Sequence, residues 1–425
     1  MRLAFRSLGV AFLAVSAFAV SASRPVRAAG STPTFTKDVA PILYKRCAEC
    51  HRPNAIAPMA LLSYEDVRPW ARAVRQKVMA REMPPWGADP AIGKFANDPS
   101  LSDAEIATIA SWVDGGSPEG GKADLPALPA FTDGWAIGKP DLIFKMVKPF
   151  TVPADGTVPY LYITIPTNLK QDVWIKGVEF KPSDRRVVHH IISTMVEGHG
   201  QSVDPTPRPQ RDAAQKEIGG LGGYVPGRLD TMYEEGVARK IPAGTNIVLQ
   251  MHYTTIGQAV TDQTEIGVVL AKEPPTSLRQ AGGGQIPNTT FAIPPGNPSY
   301  EVVARQAIAR DTYLNTMYPH MHVRGKDVRY SIVYPDGREE VVLRVPKYDF
   351  NWQLEYKLAE PKLMPKGSTL VITAHYDNST GNKFNPDPTA TVRWGDQTWE
   401  EMLIGYYGTI EPSALPPARS GAARQ

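Results

Sequence analysis

Cysteine is almost missing: the 425 residues hold two, Cys47 and Cys50. A framework of several disulfides is therefore excluded. Charge of one sign is missing as well. Lys and Arg number 46 against 43 Asp and Glu, a net charge of +3, so nothing favours nucleic acid or an anionic membrane surface as partner. Histidine is scarce at 8 residues, which makes any clustering of it informative. From about residue 139 no long helical period appears. What is plentiful is Pro, at 40, and Gly, at 35, a balance that favours a loop-rich, mostly β chain over helical bundles.

The first 28 residues read as a secretory signal peptide. Arg2 and Arg6 supply the positive start, Leu8 to Val20 the apolar core, and Val26-Arg27-Ala28 a small-x-Ala cleavage site. The apolar core falls short of the roughly 20 residues that span a bilayer. The expectation is an exported, periplasmic protein with no stable transmembrane segment after cleavage.

Both cysteines fall in Cys47-Ala48-Glu49-Cys50-His51. Cys-x-x-Cys-His is a c-type haem attachment pattern, with thioethers from the two thiols and His51 as the proximal iron ligand. A thioredoxin-like redox pair would need a preceding βαβ pattern and has no use for the following histidine. Phe35 to Leu43 reads as a short helix opening on Asp38 and leading into the motif. Met83, in Met83-Pro84-Pro85-Trp86, is the expected sixth ligand, a soft thioether on a Pro-stiffened loop, with Met59 and Met79 as rivals. A helix capped by Ser102 and Glu105, with Ile106, Ile109, Ala110 and Val113 on its apolar face, ends at Gly115-Gly116. Residues 31–120 are thus expected to form a small all-α cytochrome c domain, and 121–138 a linker.

Beyond the linker, short runs rich in Val, Ile and aromatics alternate with turn signals. They include 142–147, 160–165, 173–180, 187–193, 246–254 and 266–270. A second set covers 300–305, 312–317, 328–334, 341–345, 369–376 and 402–407. The fold class expected is multidomain: the helical domain, then two all-β antiparallel jelly-roll or sandwich domains over 139–285 and 286–411. Glu197 to Arg239 reads as a loop, Tyr334-Pro335-Asp336-Gly337-Arg338 as a hairpin turn, and 412–425 as a disordered tail.

Six of the histidines fall in motifs. His189 and His190 are adjacent in an apolar strand, where successive side chains point to opposite faces. To bind one ion together they need a twist, a bulge or a strand end. His252 follows in Leu249-Gln250-Met251-His252-Tyr253. His320-x-His322 puts two imidazoles on one face, and Met402 lies in Glu400-Glu401-Met402-Leu403. Imidazole with thioether selects copper; zinc seldom accepts methionine. A blue-copper site has no thiolate left. The competing view is scattered histidines with ordinary structural roles, or zinc.

These segments, in this order and spacing over roughly 139–410, resemble the copper type II, ascorbate-dependent monooxygenases. That group contains peptidylglycine alpha-hydroxylating and dopamine beta-monooxygenase. The resemblance implies two copper ions facing across an open, solvent-filled cleft. His189, His190 and His252 would hold the electron-storing copper. His320, His322 and Met402 would hold the catalytic one, with Tyr406 and Gln250 nearby. It implies hydroxylation of a C–H bond of a small organic substrate with O2, with two electrons from an ascorbate-like reductant; the haem motif adds the separate expectation that a periplasmic donor feeds them through the tethered haem. Tyr318 and Ile404 stand where the peptide-amidating enzyme holds its substrate carboxylate with Arg and Asn, so a peptidyl-glycine substrate is not expected. The family's disulfides are absent too. Two alternatives remain open: a haem–copper dehydrogenase or oxidase passing electrons out through the cytochrome domain, and a non-enzymatic electron-transfer or copper-binding protein.

Overall fold

A computed structural model describes residues 32–53, 55, 57–131, 134–198, 203–206, 216–225, 231–233, 235–272 and 279–410. The signal-peptide reading of 1–28 and the tail at 412–425 lie outside the described residues.

The chain begins with a π-helical turn, Phe35–Val39, that runs into α1 (Ala40–Arg46). Asp38 does not open this helix; its carboxylate accepts from the Thr34 backbone N–H at 2.7 Å. Then come α2 (Tyr64–Val67), α3 (Ala71–Met79) and α4 (Asp103–Asp114). The expected capping box starts α4: Ser102 Oγ accepts from Glu105 N, and the Glu105 carboxylate accepts from Ser102 N. Phe35, Leu43, Val67, Ile109 and Trp112 are the core of this part.

A separate all-α cytochrome c domain is not what forms. The four helices are only 7, 4, 9 and 12 residues long, and Pro33–Gln425 make one compact unit with the β strands. The stretch between α3 and α4 carries large apolar side chains without helical spacing, so they find cover elsewhere. Trp86 packs on Tyr356 with ring centroids 4.8 Å apart, and Phe95 pairs with Leu358. The end of the linker is also docked: Glu179 accepts from the backbone N–H of Ala136 and of Ile137.

The first β half contains β1 (Leu142–Lys145), β2 (Phe150–Val152), β3 (Leu161–Pro166), β4 (Val173–Lys181), β5 (Val188–Glu197), β6 (Val203–Thr206), β7 (Glu217–Tyr224), β8 (Thr231–Met232), β9 (Val237–Ile241), β10 (Thr245–Tyr253), β11 (Val260–Asp262) and β12 (Glu265–Leu270). The second contains β13 (Arg279–Asn288), β14 (Ala292–Ile293), β15 (Tyr300–Ala307), β16 (Thr312–His320), β17 (Gly325–Val333), β18 (Glu339–Val345), β19 (Tyr356–Met364), β20 (Thr369–Tyr376), β21 (Val392–Arg393) and β22 (Leu403–Ile410).

These strands make two sandwiches. In the first, β1-β12-β4-β9 packs on β6-β3-β10-β5-β7 over a shared core that includes Phe180, Ile191, Leu249 and Ile266. In the second, β13-β22-β16-β19 packs on β15-β20-β17-β18 over Leu314, Tyr330, Ile372 and Leu403. The pairing is not antiparallel throughout. β9 and β13 pair in parallel, Val237 with Arg279 and Ala238 with Gln280, which joins the two halves into one nine-stranded sheet.

Among the described residues, the expected loop at 197–239 is largely strands. Residues 197–239 contribute β6 to β9, and the glycine-rich run forms β7 against β5. Glycine ranks low in strand preference. Here Gly219 and Gly222 take φ of +133° and +129° at an irregular ladder, a conformation closed to other residues. β19 escapes notice because it carries Pro361 and charged residues. It sits at the sheet edge, where a missing N–H is tolerated.

Candidate metal centre

β5 and β10 are neighbouring strands near the middle of the five-stranded sheet, and His190 pairs with His252. The next pair is Tyr253 with Val188. His189 is therefore the extra residue of a bulge, which re-aims its side chain. His189 Nδ1 lies 3.2 Å from His190 Nδ1, and His252 Nδ1 lies 3.4 Å from that same atom. One ligand nitrogen from each of the three falls within 4.8 Å of the others. Nitrogens bound to one ion at about 2.0–2.1 Å stand about 3.3–3.5 Å apart, so the donor set fits a metal ion.

β16 ends on His320, and His322 follows two residues on; both are fully buried. Their rings are 5.3 Å apart at 90°. His320 Nδ1 donates to Gln353 Oε1 at 2.6 Å, and His322 Nδ1 to the Glu400 carbonyl at 3.2 Å. Each Nε2 is thereby left with its lone pair, buried and without a protein partner. His320 pairs with Ile404 across β22. Continuing that antiparallel register sets Met402 opposite His322. The Glu401 carboxylate fastens this corner, accepting from the backbone N–H of His322 at 2.9 Å, Arg324 at 2.6 Å and Met402 at 3.2 Å.

Burial pushes every one of these imidazoles toward the neutral form. His189 and His320 fall to about 4 and His322 to about 3, and His190 and His252 lie well below the usual histidine range. Neutral nitrogen is what a metal requires. For Glu401, burial outweighs its hydrogen bonds and raises the carboxyl to about 8.

The open, solvent-filled cleft between the two sets does not exist here. His190 and His320 meet edge to face with centroids 5.9 Å apart. Tyr160 touches His190, His252 and His322, and Phe350 touches His189, His252 and His322. Sequence reasoning missed Tyr160, Phe350, Gln353 and the part played by Glu401. Tyr160 opens an expected strand and carries no motif; Phe350 and Gln353 lie between strands, where nothing in the pattern marks them.

The remaining expected residues are placed as follows. Tyr406 pairs with Tyr318 and lies 6.4 Å from His320, ring to ring. Gln250 is two pairs along from His252 and donates to Tyr162 Oη at 2.5 Å. Cys47 caps α1, and both cysteines are free thiols; burial pushes Cys47 up to about 12. His51 N donates to the Cys47 carbonyl, and His51 Nδ1 contacts the Met59 carbonyl at 3.2 Å. Met83 is half-buried in the loop after α3, and no described contact joins it to His51. His375, unassigned by motif, sits on β20 with Nδ1 2.8 Å from Asp327 Oδ1, as an ordinary strand residue. No described helix is long and apolar enough to cross a membrane.

Solved structures resemble the chain only weakly. The major capsid protein P2 of bacteriophage PM2 aligns at TM-score 0.28 and 8% identity over 62% of this chain and 97% of that one. The STIV MCP aligns at 0.24 and 9% over 67% and 98%. Allantoicase from Saccharomyces cerevisiae aligns at 0.17 and 11% over 61% and 81%. Likeness at this level carries no argument. No protein-family model matches the chain, and no curated protein matches it. Cytochrome c, haem, copper-monooxygenase and export terms thus gain no support from any relative. Membership of the copper type II monooxygenases, with or without an N-terminal cytochrome c domain, is withdrawn, because His-His, His-x-His and Glu-Met are short patterns that any β sandwich gripping a metal between strands can reach.

Proposed function

We propose that the chain is a copper-dependent oxidoreductase that hydroxylates a C–H bond of a small organic substrate with O2. The observation that carries this reading is the convergence of five imidazoles, four of them buried and His189 half-buried, with Met402 at the register position opposite His322. A thioether beside imidazoles favours copper, above all in its reduced state. Bound copper supplies one-electron transfer and activation of O2.

The chain's own residues do the rest. His189, His190 and His252 offer one set of nitrogens, and His320 and His322 offer Nε2 with Met402 beside them. Gln353 and the Glu400 carbonyl hold the two Nδ1 protons, which orients both rings. Tyr160 and Phe350 exclude water from both sets, which strengthens electrostatics inside the pocket.

A haem attached through Cys47 and Cys50, with His51 and Met83 as axial ligands, belongs to the same proposal as the electron route from a periplasmic reductant. It is supported by the Cys-x-x-Cys-His spacing, the two free thiols and the Met59 carbonyl beside His51 Nδ1, which leaves Nε2 for iron. The pyridine haemochrome spectrum of denatured protein tests it: a covalent c-type band is expected, and its absence removes the haem.

Oxygen labelling tests the whole reading. Copper-loaded protein is supplied with reductant, labelled O2 and a panel of phenols, aromatics and amines. Label in the product is expected. Product without label means dehydrogenation instead, and no turnover across the panel means an electron carrier.

A further inference from the structure

We infer that the two ligand sets form one coupled two-copper centre, not two separate one-metal sites. This inference rests on the copper reading above and concerns the relation between the ions. Four observations point the same way. His190, from the first set, and His320, from the second, are in direct ring contact at 5.9 Å and 77°, within the range of edge-to-face packing; two rings in contact leave no layer of water between them. His190, His320 and His322 are all fully buried. Tyr160 lies 4.7 Å from His252 and 5.7 Å from His322, so one phenol ring is a wall of both sets. Phe350 is the second shared wall, 5.7 Å from His252 and 6.1 Å from His322.

Sites divided by solvent would exchange electrons across water and would bind exogenous ligands independently. Sites that share walls and ring contacts behave otherwise. A small ligand admitted to one ion, such as hydroxide, azide or O2, would sit behind the same two aromatic walls as the other. Two copper ions held by these sets would sense each other magnetically and would compete for or share such a ligand.

Wild-type chain loaded with cupric ion alone is the sample. Bound copper is counted by mass spectrometry, and the paramagnetic resonance signal is integrated on the same material. Two coppers per chain with an integral below half of the bound copper, or with a half-field transition, is the expected result. His252→Ala, which removes a ligand from the first set, should return one full-intensity signal per chain. X-ray absorption of the wild-type sample gives an independent readout, a copper–copper scattering feature. Two coppers at full signal intensity, with no half-field transition and no such feature, overturn the coupling and leave the copper reading standing. A single copper per chain also overturns it. No retained copper overturns the reading on which it rests.

Discussion

Gln353 Oε1 accepts the Nδ1 proton of His320 at 2.6 Å. Gln353 is itself buried and donates through Nε2 to the Phe350 carbonyl, so one amide ties the buried His320 imidazole to the loop that carries Phe350. Gln353→Leu removes the acceptor and frees the ring to turn. The expected result is a fall of roughly 10- to 100-fold in affinity at the His320–His322 site, with the His189–His190–His252 set unaffected, read by chelator competition.

Glu401 is the second residue whose removal should be felt beyond its own contacts. Three backbone N–H groups converge on its two oxygens. Glu401→Gln offers one oxygen and turns an N–H toward donors. A loss of about 2–4 kcal/mol is expected from the buried groups left unpaired, measured by urea unfolding.

Metal-free protein should lose stability in acid. The five histidines have folded pKa values depressed below the unfolded value of 6.5. As pH falls below 6.5 the unfolded chain takes up protons that the folded chain refuses, so stability drops until the folded values, about 3 to 4 for His189, His320 and His322, are reached. Glu401 runs the other way: its raised folded value of about 8 stabilises below the unfolded carboxyl pKa and is lost as pH rises through 8. Five groups outweigh one. The melting temperature of the metal-free chain should fall as the pH drops from 6.5 to 4, while bound copper should raise it without changing the slope at the upper end of that window, where the folded imidazoles are already unprotonated.

Trp86 tests how firmly the helical part is joined to the strands. Its ring lies 4.8 Å from Tyr356 and 5.7 Å from Phe95. Trp86→Ala should destabilise by about 3 kcal/mol. If the helices were an independent domain, the loss would appear in a separate transition; a single transition shifted downward is expected in calorimetry.

Much of the site was legible because its ligands repeat at strand spacing. Adjacent histidines demanded an irregularity, and the bulge at His189 supplies it. The strands that carry His190, His252 and His320 were marked by short runs rich in Val, Ile and aromatics between turn signals. What escaped was of two kinds. Gln353 and Phe350 act from a connection, where position depends on the whole fold and not on local period. β7 is rich in glycine, so composition spoke for a loop while the ladder with β5 supplied the hydrogen bonds. The helical motif around Cys47 was read as a domain because its capping and apolar face are local; the docking of Trp86 and Phe95 is not.

The parallel pairing of β9 with β13 sets a mechanical limit on this molecule. Histidines of the first set hang from one sandwich and those of the second from the other, while the long sheet acts as a beam common to both. To part His190 from His320, the beam must bend or the pairs Val237–Arg279 and Ala238–Gln280 must break. Access to the histidines therefore falls to the side chains and connections around them, and hinging of the two halves is held back by backbone hydrogen bonds.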